Sequence, residues 1–230
     1  MKILLLGGTG LVGKQVLLSL LFYPQIKKVI VWARHFENSA KPNLPIEVIR
    51  ATWEDFQSGK VSVPEGIDAV FCCLGTTIGK AGSQEKFREI DFDYPLLAAR
   101  QAKEKKIPGF YIITAMGSDP NSSIFYNRVK GELEWELKTL KFPFLGIFRP
   151  SLLIGDREEF RIGEKIGEVM GNFIPFGILG LQKYKPIQAA YVAKAMIHSL
   201  LKDQPSDGSL PVVKIYENDV LWEIGKDHSF

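Results

Sequence analysis

Two tyrosines in this 230-residue chain stand four positions before a lysine: Tyr23 before Lys27, and Tyr126 before Lys130. On a helix that spacing puts phenol and ammonium on one face. The cation then stabilises a phenolate, so the tyrosine exchanges a proton nearer neutrality than its free value of about 10. The first pair contains Pro24 and precedes a strand pattern, which sets it aside. The second opens a helical pattern over 126–140, with Val129, Leu133, Leu137 and Leu140 on its buried face and Trp135 off that stripe. Proton donation or acceptance at a reacting oxygen is the chemistry this second pair offers.

Such a pair needs a scaffold. Short apolar runs recur at 2–6, 29–32, 46–50, 69–74, 110–114 and 144–148. Continuous rather than alternating, they read as parallel strands covered on both faces. Helical patterns lie between several of them. The longest, 84–106, holds Pro95 after Asp93-Tyr94, so a kink or break is expected near Asp91–Asp93. After Pro150 the pattern changes. A charged helix is expected over 157–170, an apolar segment broken by Pro and Gly over 173–181, a helix over 188–201, a strand over 212–216 and a short helix over 217–224.

The chain opens MKILLLGGTGLVG, a strand run into a glycine turn into a helical stretch over 11–22. That order holds a dinucleotide pyrophosphate on a helix N-terminus. Gly7 turns the chain out of the strand, Gly10 admits phosphate close to the backbone, and Gly13 lets helix and sheet pack. Gly7, Thr9, Gly10, Leu11, Val12 and Gly13 are therefore expected cofactor contacts. The fold class is α/β, a doubly wound parallel sheet of the Rossmann kind, with 1–150 as its core and 151–230 supplying a small, mainly substrate-side region of the same domain.

The residue ending the second strand selects the dinucleotide. Here Val31-Trp32-Ala33-Arg34-His35 presents no acid before Glu37, and Arg34 stands where a guanidinium can grip a 2′-phosphate. NADP(H) is expected in preference to NAD(H).

The bulk composition excludes other classes. A net charge of +3 is too small and dispersed for a nucleic-acid protein. Cys72 and Cys73 are the only cysteines and are adjacent, so neither a disulfide framework nor a metal site is expected, and a reducing, cytoplasmic setting fits. No apolar stretch of about 20 residues is present to span a membrane. A small-molecule substrate is the expected partner; a homodimer or protein partner has weak support.

The glycine spacing, GxxGxxG, resembles the extended and atypical branches of the short-chain dehydrogenase/reductase superfamily. More specifically, GGTGLVG (7–13), CLGTT (73–77), YNRVKGE (126–132) and FRP (148–150), with looser matches at 155–161 and 185–196, resemble the Tat-interacting-protein-like group of atypical members over nearly the whole chain. The resemblance implies that Tyr126 and Lys130 act as catalytic pair, that Lys130 also holds the nicotinamide ribose, and that Thr114 orients the substrate oxygen. It implies that Cys73, Leu74 and Gly75 line the cofactor and that Ser151 and Leu153 lie near the nicotinamide carboxamide. Two departures stand out. Ala115, Met116 and Gly117 follow Thr114 where serines are common, and Asp91 replaces an asparagine. Three functions fit: an NADP(H)-dependent carbonyl reductase, a non-catalytic NADP(H) sensor or regulatory protein, and, last, a nucleotide-sugar epimerase or dehydratase.

Overall fold

The computed structural model describes residues 1–35, 45–155, 181–203 and 210–227. The expected helix over 157–170 and nearly all of the apolar segment over 173–181 lie outside them.

Seven parallel strands form the central sheet: β1 (Lys2–Leu6), β2 (Lys28–Ala33), β3 (Ile46–Arg50), β4 (Ala69–Cys72), β5 (Gly109–Ile113), β6 (Phe144–Arg149) and β9 (Val212–Glu217). Their order is β3-β2-β1-β4-β5-β6-β9. β1, β4 and β5 are mostly Ile, Leu, Val, Phe and Ala and are buried throughout apart from Lys2, because helices cover both faces of the sheet. A two-stranded annex, β7 (Leu153–Ile154) with β8 (Ile187–Gln188), lies beyond the end of β6.

Side chains alternate between two cores. On one face, α1 (Leu11–Leu20) packs with α7 (Ala189–Lys202) through Val16, Leu20, Val192 and Met196. On the other, α5 (Tyr94–Glu104) and α6 (Phe125–Thr139) bury Ala98, Ala99, Leu133 and Leu137 against β4, β5 and β6. Trp135, off the α6 stripe, is 58% exposed.

The expected break in the helix over 84–106 takes a particular form. α4 (Gln84–Arg88) runs through one π-helical turn, Glu89–Asp93, into α5 without leaving the helix. Pro95 falls in the first turn of α5, where proline is tolerated. The π turn accommodates an extra residue, and such turns cluster at functional sites. It directs Asp91 inward, to 0% exposure.

Residues after Pro150 do more than wall a substrate. β9 pairs along its whole length with β6, and α7 covers the sheet beside α1; the first extends the central sheet and the second closes one of its cores. Among the described residues after Pro150, β7, β8, the 3-10 turn Leu181–Tyr184 and α8 (Asn218–Lys226) stand apart from the central sheet.

Candidate functional site

The strand order reverses between β1 and β4: β1 connects outward to β2, and β4 leads away toward β5. In doubly wound sheets the crevice at that reversal, above the strand C-termini, is where ligands bind. The sequence places its glycine turn there. Gly7 has φ +76, a left-handed conformation that disfavours any other residue. A Cβ on Gly7 would also come within 2.5 Å of the Cys73 carbonyl oxygen and 2.9 Å of the Leu74 nitrogen. Gly7 and the Cys73–Leu74 stretch therefore touch. A Cβ on Gly13 would overlap the Gly7 carbonyl, so the start of α1 can lie this close to the turn only as glycine.

Gly10 caps α1 without a side-chain hydrogen bond, and no acid lies in the first helical turn. Thr9 and Gly10 are exposed, whereas Val12 is buried under the helix. The first backbone N–H groups of α1 thus point into the crevice without a competing side chain or a repelling charge, the arrangement a pyrophosphate requires. Leu11 is covered from the far side: a Cβ on Gly155 would strike its side chain, so the segment after β7 crosses over the start of α1. These residues fit a dinucleotide.

Arg34 leaves the end of β2 and is exposed. Beneath it sits an aromatic stack that the sequence pattern did not signal. Trp53 lies 4.3 Å from Tyr94 at an interplanar angle of 10°, and 5.4 Å from Trp32 at 17°. Burial pushes the Tyr94 phenol up, Glu89 adds to this through a hydrogen bond, and Arg34 acts in the opposite direction.

The Tyr-Lys pair opens α6. Tyr126 is half-buried, its ring 5.3 Å from that of Phe87 on α4. Lys130, one turn on, is 3% exposed. Its Nζ lies 2.7 Å from Asp91 Oδ1, and the Asp91 side chain is itself 1% exposed. The other carboxylate oxygen, Oδ2, accepts the Thr76 N–H at 2.8 Å. Burial works against the Lys130 charge, but Asp91, with help from Tyr126, more than offsets it and the ammonium is held above its usual range. Gly75 roofs the pair: a Cβ there would lie 3.4 Å from Asp91 Oδ1 and 3.8 Å from Lys130 Nζ. The stretch following β4, the π turn and α6 therefore converge on one ion pair, adjoining the glycine turn through Cys73 and Leu74.

Thr114 requires a correction. It sits at the end of β5 and is buried, but its hydroxyl donates to Glu134 Oε1 at 2.7 Å, with the Phe148 carbonyl at 3.4 Å. An oxygen so engaged is not presented to a substrate. Ser118, the next hydroxyl along, is closed into its own turn, donating to the Ala115 carbonyl at 2.6 Å and accepting the Ala115 N–H at 3.3 Å. Glu134 belongs to a larger network. Arg149 grips it with Nε at 3.0 Å and Nη2 at 2.6 Å and reaches Glu217 on β9 with Nη1 at 2.8 Å. The arginine of the FRP run is thus a clasp between α6, β6 and β9.

Ser151 and Leu153 follow β6. The Ser151 hydroxyl donates to the Lys185 carbonyl at 2.6 Å, and its N–H donates to Asn218 Oδ1 at 2.9 Å. Asn218 Nδ2 donates to the same Lys185 carbonyl at 2.9 Å, locking the annex onto α8. Leu153 packs on the α1 side of the core. Cys72 and Cys73 are unbridged; burial pushes the Cys72 thiol up to about 12 and Cys73 in the same direction, which disfavours the nucleophilic thiolate. Among the described residues no cluster of His, Cys, Asp and Glu could hold a metal, and no helix is long and apolar enough to cross a membrane.

No protein-family profile matches the chain. Individual relatives do. Protein HTATIP2 of Rattus norvegicus is 33% identical over 231 residues, covering 98% of this chain and 90% of the relative. The mitochondrial protein FMP52-1 of Scheffersomyces stipitis is 32% identical, covering 98% and 99%. The mitochondrial protein FMP52 of Candida albicans is 32% identical, covering 86% of each. Among solved structures, a UDP-glucose 4-epimerase superposes with TM-score 0.66 at 14% identity, over 98% of this chain and 80% of that one. MoeE5, in complex with UDP-glucuronic acid and NAD, gives 0.65 at 11%, over 95% and 76%. At these identities the structural likeness establishes the fold alone, a doubly wound parallel sheet of the Rossmann kind. The relatives correct the expected cytoplasmic setting, because several of them are mitochondrial proteins. Two adjacent cysteines do not distinguish one reducing compartment from another. With a relative at 33% identity along almost its whole length, the chain belongs to the HTATIP2/FMP52 family of Tat-interacting-protein-like proteins, built on the short-chain dehydrogenase fold.

Proposed function

We propose that the protein is an NADP(H)-binding oxidoreductase that reduces the carbonyl group of a small molecule. The observation that carries this reading is the placement of Tyr126 and Lys130. They lie one helical turn apart on α6, with the Lys130 ammonium buried directly beneath Gly75 and hence beside the glycine-turn crevice. A bound nicotinamide supplies the hydride for such a reduction. Tyr126 delivers the proton to the carbonyl oxygen as general acid. In this reading Lys130, one helical turn from Tyr126 and beneath Gly75, supplies the positive charge beside the phenol. The residues of the glycine turn, with Cys73 and Leu74, hold the pyrophosphate side, and Ser151 and Leu153 bound the nicotinamide end.

Arg34 supports NADP(H) over NAD(H), since it is exposed at the β2 terminus and free of any nearby acid in the strand. Arg34→Ala is expected to weaken NADPH at least about tenfold, the scale of a lost charge-assisted hydrogen bond to phosphate, and NADH far less. Isothermal titration of both nucleotides measures this, and equal losses would remove the assignment.

Thermal unfolding with NADPH, with NADH and with neither tests the binding step. At a hundredfold excess over its dissociation constant a ligand adds about 2.7 kcal/mol of stability. A rise with NADPH followed by its oxidation against a panel of aldehydes and ketones is the expected result. No shift with either nucleotide would overturn the reading.

One observation favours a second reading, a non-catalytic NADP(H) sensor: both hydroxyls that follow β5, on Thr114 and Ser118, are engaged internally. Stabilisation by NADPH without turnover of any carbonyl compound would select it.

A further inference from the structure

The strand beside β2 ends on a second arginine. We propose that Arg50, the last residue of β3, is a specificity-determining residue that holds the 2′-phosphate of NADP(H) together with Arg34, each from its own side of the sheet. The inference deepens the NADP(H) assignment and rests on it.

The strand register places Arg50. β2 and β3 run parallel, with Val31 beside Val48 and Ala33 beside Arg50. Paired residues on neighbouring strands share a face of the sheet. Val31 and Ala33 belong to the core beneath α1, so Arg50 leaves β3 on the α1 face. Its backbone is about 5 Å across from Ala33, the residue before Arg34. The glycine turn lies over that same face: a Cβ on Gly8 would come within 2.9 Å of Val31 Cγ1. Beyond Val31, β2 presents only the methyl group of Ala33 there. Thr9 from the turn and Arg50 from β3 flank this small residue, and both are exposed. Arg34 is the first residue past β2, and its charge acts on the Tyr94 phenol of α5, on the other side of the sheet. The two strand exits are held together, because Trp32 Nε1 donates to the Ala51 carbonyl at 3.2 Å. Thr52 then caps α2 (Trp53–Gln57) with a capping box, which fixes the chain two residues after Arg50.

Neither arginine is engaged elsewhere. Among the described residues no hydrogen bond or ion pair holds Arg34 or Arg50. The acids nearest Arg50 along the chain have their own partners. Glu47 pairs with Lys28 at the opposite end of the two strands. Asp55 closes the α2 cap and takes Lys60 at 2.9 Å. Two like charges are thus brought to one corner of the sheet with no anion between them, and like charges so placed repel. A phosphate dianion relieves that repulsion and accepts charge-assisted, bidentate bonds from both guanidinium groups. The 2′-hydroxyl of NAD(H) carries no charge and offers neither gain. Arg50 therefore discriminates between the two nucleotides without contributing to the pyrophosphate contacts they share.

The test is binding, with no turnover. Isothermal titration follows NADPH, NADH and adenosine 2′,5′-bisphosphate, the fragment that carries the 2′-phosphate, into the full chain. Wild type, Arg34→Ala, Arg50→Ala and the double variant are compared. Arg50→Ala is expected to weaken NADPH and the bisphosphate at least about tenfold, the scale of a lost charge-assisted hydrogen bond, and NADH less than about twofold. The double variant should lose more NADPH affinity than either single one. Arg50→Lys, which keeps the charge but not the planar fork, should fall between wild type and Arg50→Ala. NADH binding doubles as the check on folding, and Arg50→Gln repeats the comparison should the alanine variant be unstable. NADPH binding within about twofold of wild type in Arg50→Ala, or a loss shared equally by NADH in both Arg50→Ala and Arg50→Gln, overturns the proposal. A wild-type protein that binds NADPH no better than NADH would bring down the NADP(H) assignment and this proposal with it. Selective loss of NADPH in Arg34→Ala but not in Arg50→Ala would count against Arg50 alone.

Discussion

Tyr126→Phe is expected to lower carbonyl reduction by about 10²–10⁴-fold, the usual contribution of a positioned general acid. It should leave NADPH affinity within about twofold, because nucleotide contact is shared among many other groups. The substitution is clean. The ring that packs against Phe87 at 5.3 Å remains, the α6 backbone is untouched, and Lys130 keeps its Asp91 partner. What disappears is one oxygen. Single-turnover oxidation of NADPH, paired with nucleotide titration of the same preparation, separates the two effects. Turnover within about tenfold of wild type would mean that the proton comes from elsewhere. Lys130→Met is a poorer probe, because it strands Asp91 as an unpaired charge at 0% exposure and confounds chemistry with folding.

The largest stability effect is expected at Arg149. Glu134 is 1% exposed and takes two hydrogen bonds from Arg149 and one from Thr114; its other cation, Lys138, stands off at 3.9 Å. Arg149→Met leaves that carboxylate buried with a hydroxyl and a distant ammonium, and cuts the tie to Glu217 as well. Breaking one side of a buried pair costs about 3–5 kcal/mol, and the same loss in urea unfolding is expected here. The double variant Arg149→Met/Glu134→Leu should recover much of it, since an apolar replacement of both partners removes the stranded charge. A single-variant loss below about 1 kcal/mol would show that solvent reaches Glu134 after all.

Much of the scaffold is readable in the chain because its strands are buried on both faces and so are written as unbroken apolar runs. Five of the six runs match sheet strands to within a residue or so at each end. The sixth overshoots instructively. Cys73 and Leu74 continue the apolar pattern of β4, yet they have left the sheet to press on Gly7. Apolar composition alone cannot separate a strand from a cofactor-side loop that is buried against a glycine. The seventh strand was legible as a strand, but its place beside β6 was not, because partner choice is a tertiary matter. Pro95 announced an irregular helix; whether the chain breaks or accommodates one extra residue depends on packing that no local pattern records. At the site, the four-residue spacing put Tyr126 and Lys130 one turn apart on the same helix. Thr114 was misread because its hydroxyl is claimed by Glu134, twenty residues further along, and nothing local betrays that bond. Asp91 stood out as an unusual acid, while its partner became visible only when α6 was laid against the π turn.

The clasp between β6 and β9 bears on how the molecule comes into being. Arg149 must wait for Glu217, a partner 68 positions later, and every parallel contact between β6 and β9 has the same delay. Such distant pairings are slow to form, since loop closure precedes any return from the contacts it permits. During synthesis the glycine turn, the Tyr126 helix and five neighbouring strands are already outside the ribosome while β6 still exposes a bare edge. Closure of the β6 edge therefore waits until residues 212–217 have been made, and the interval before it is when a chaperone has something to shield.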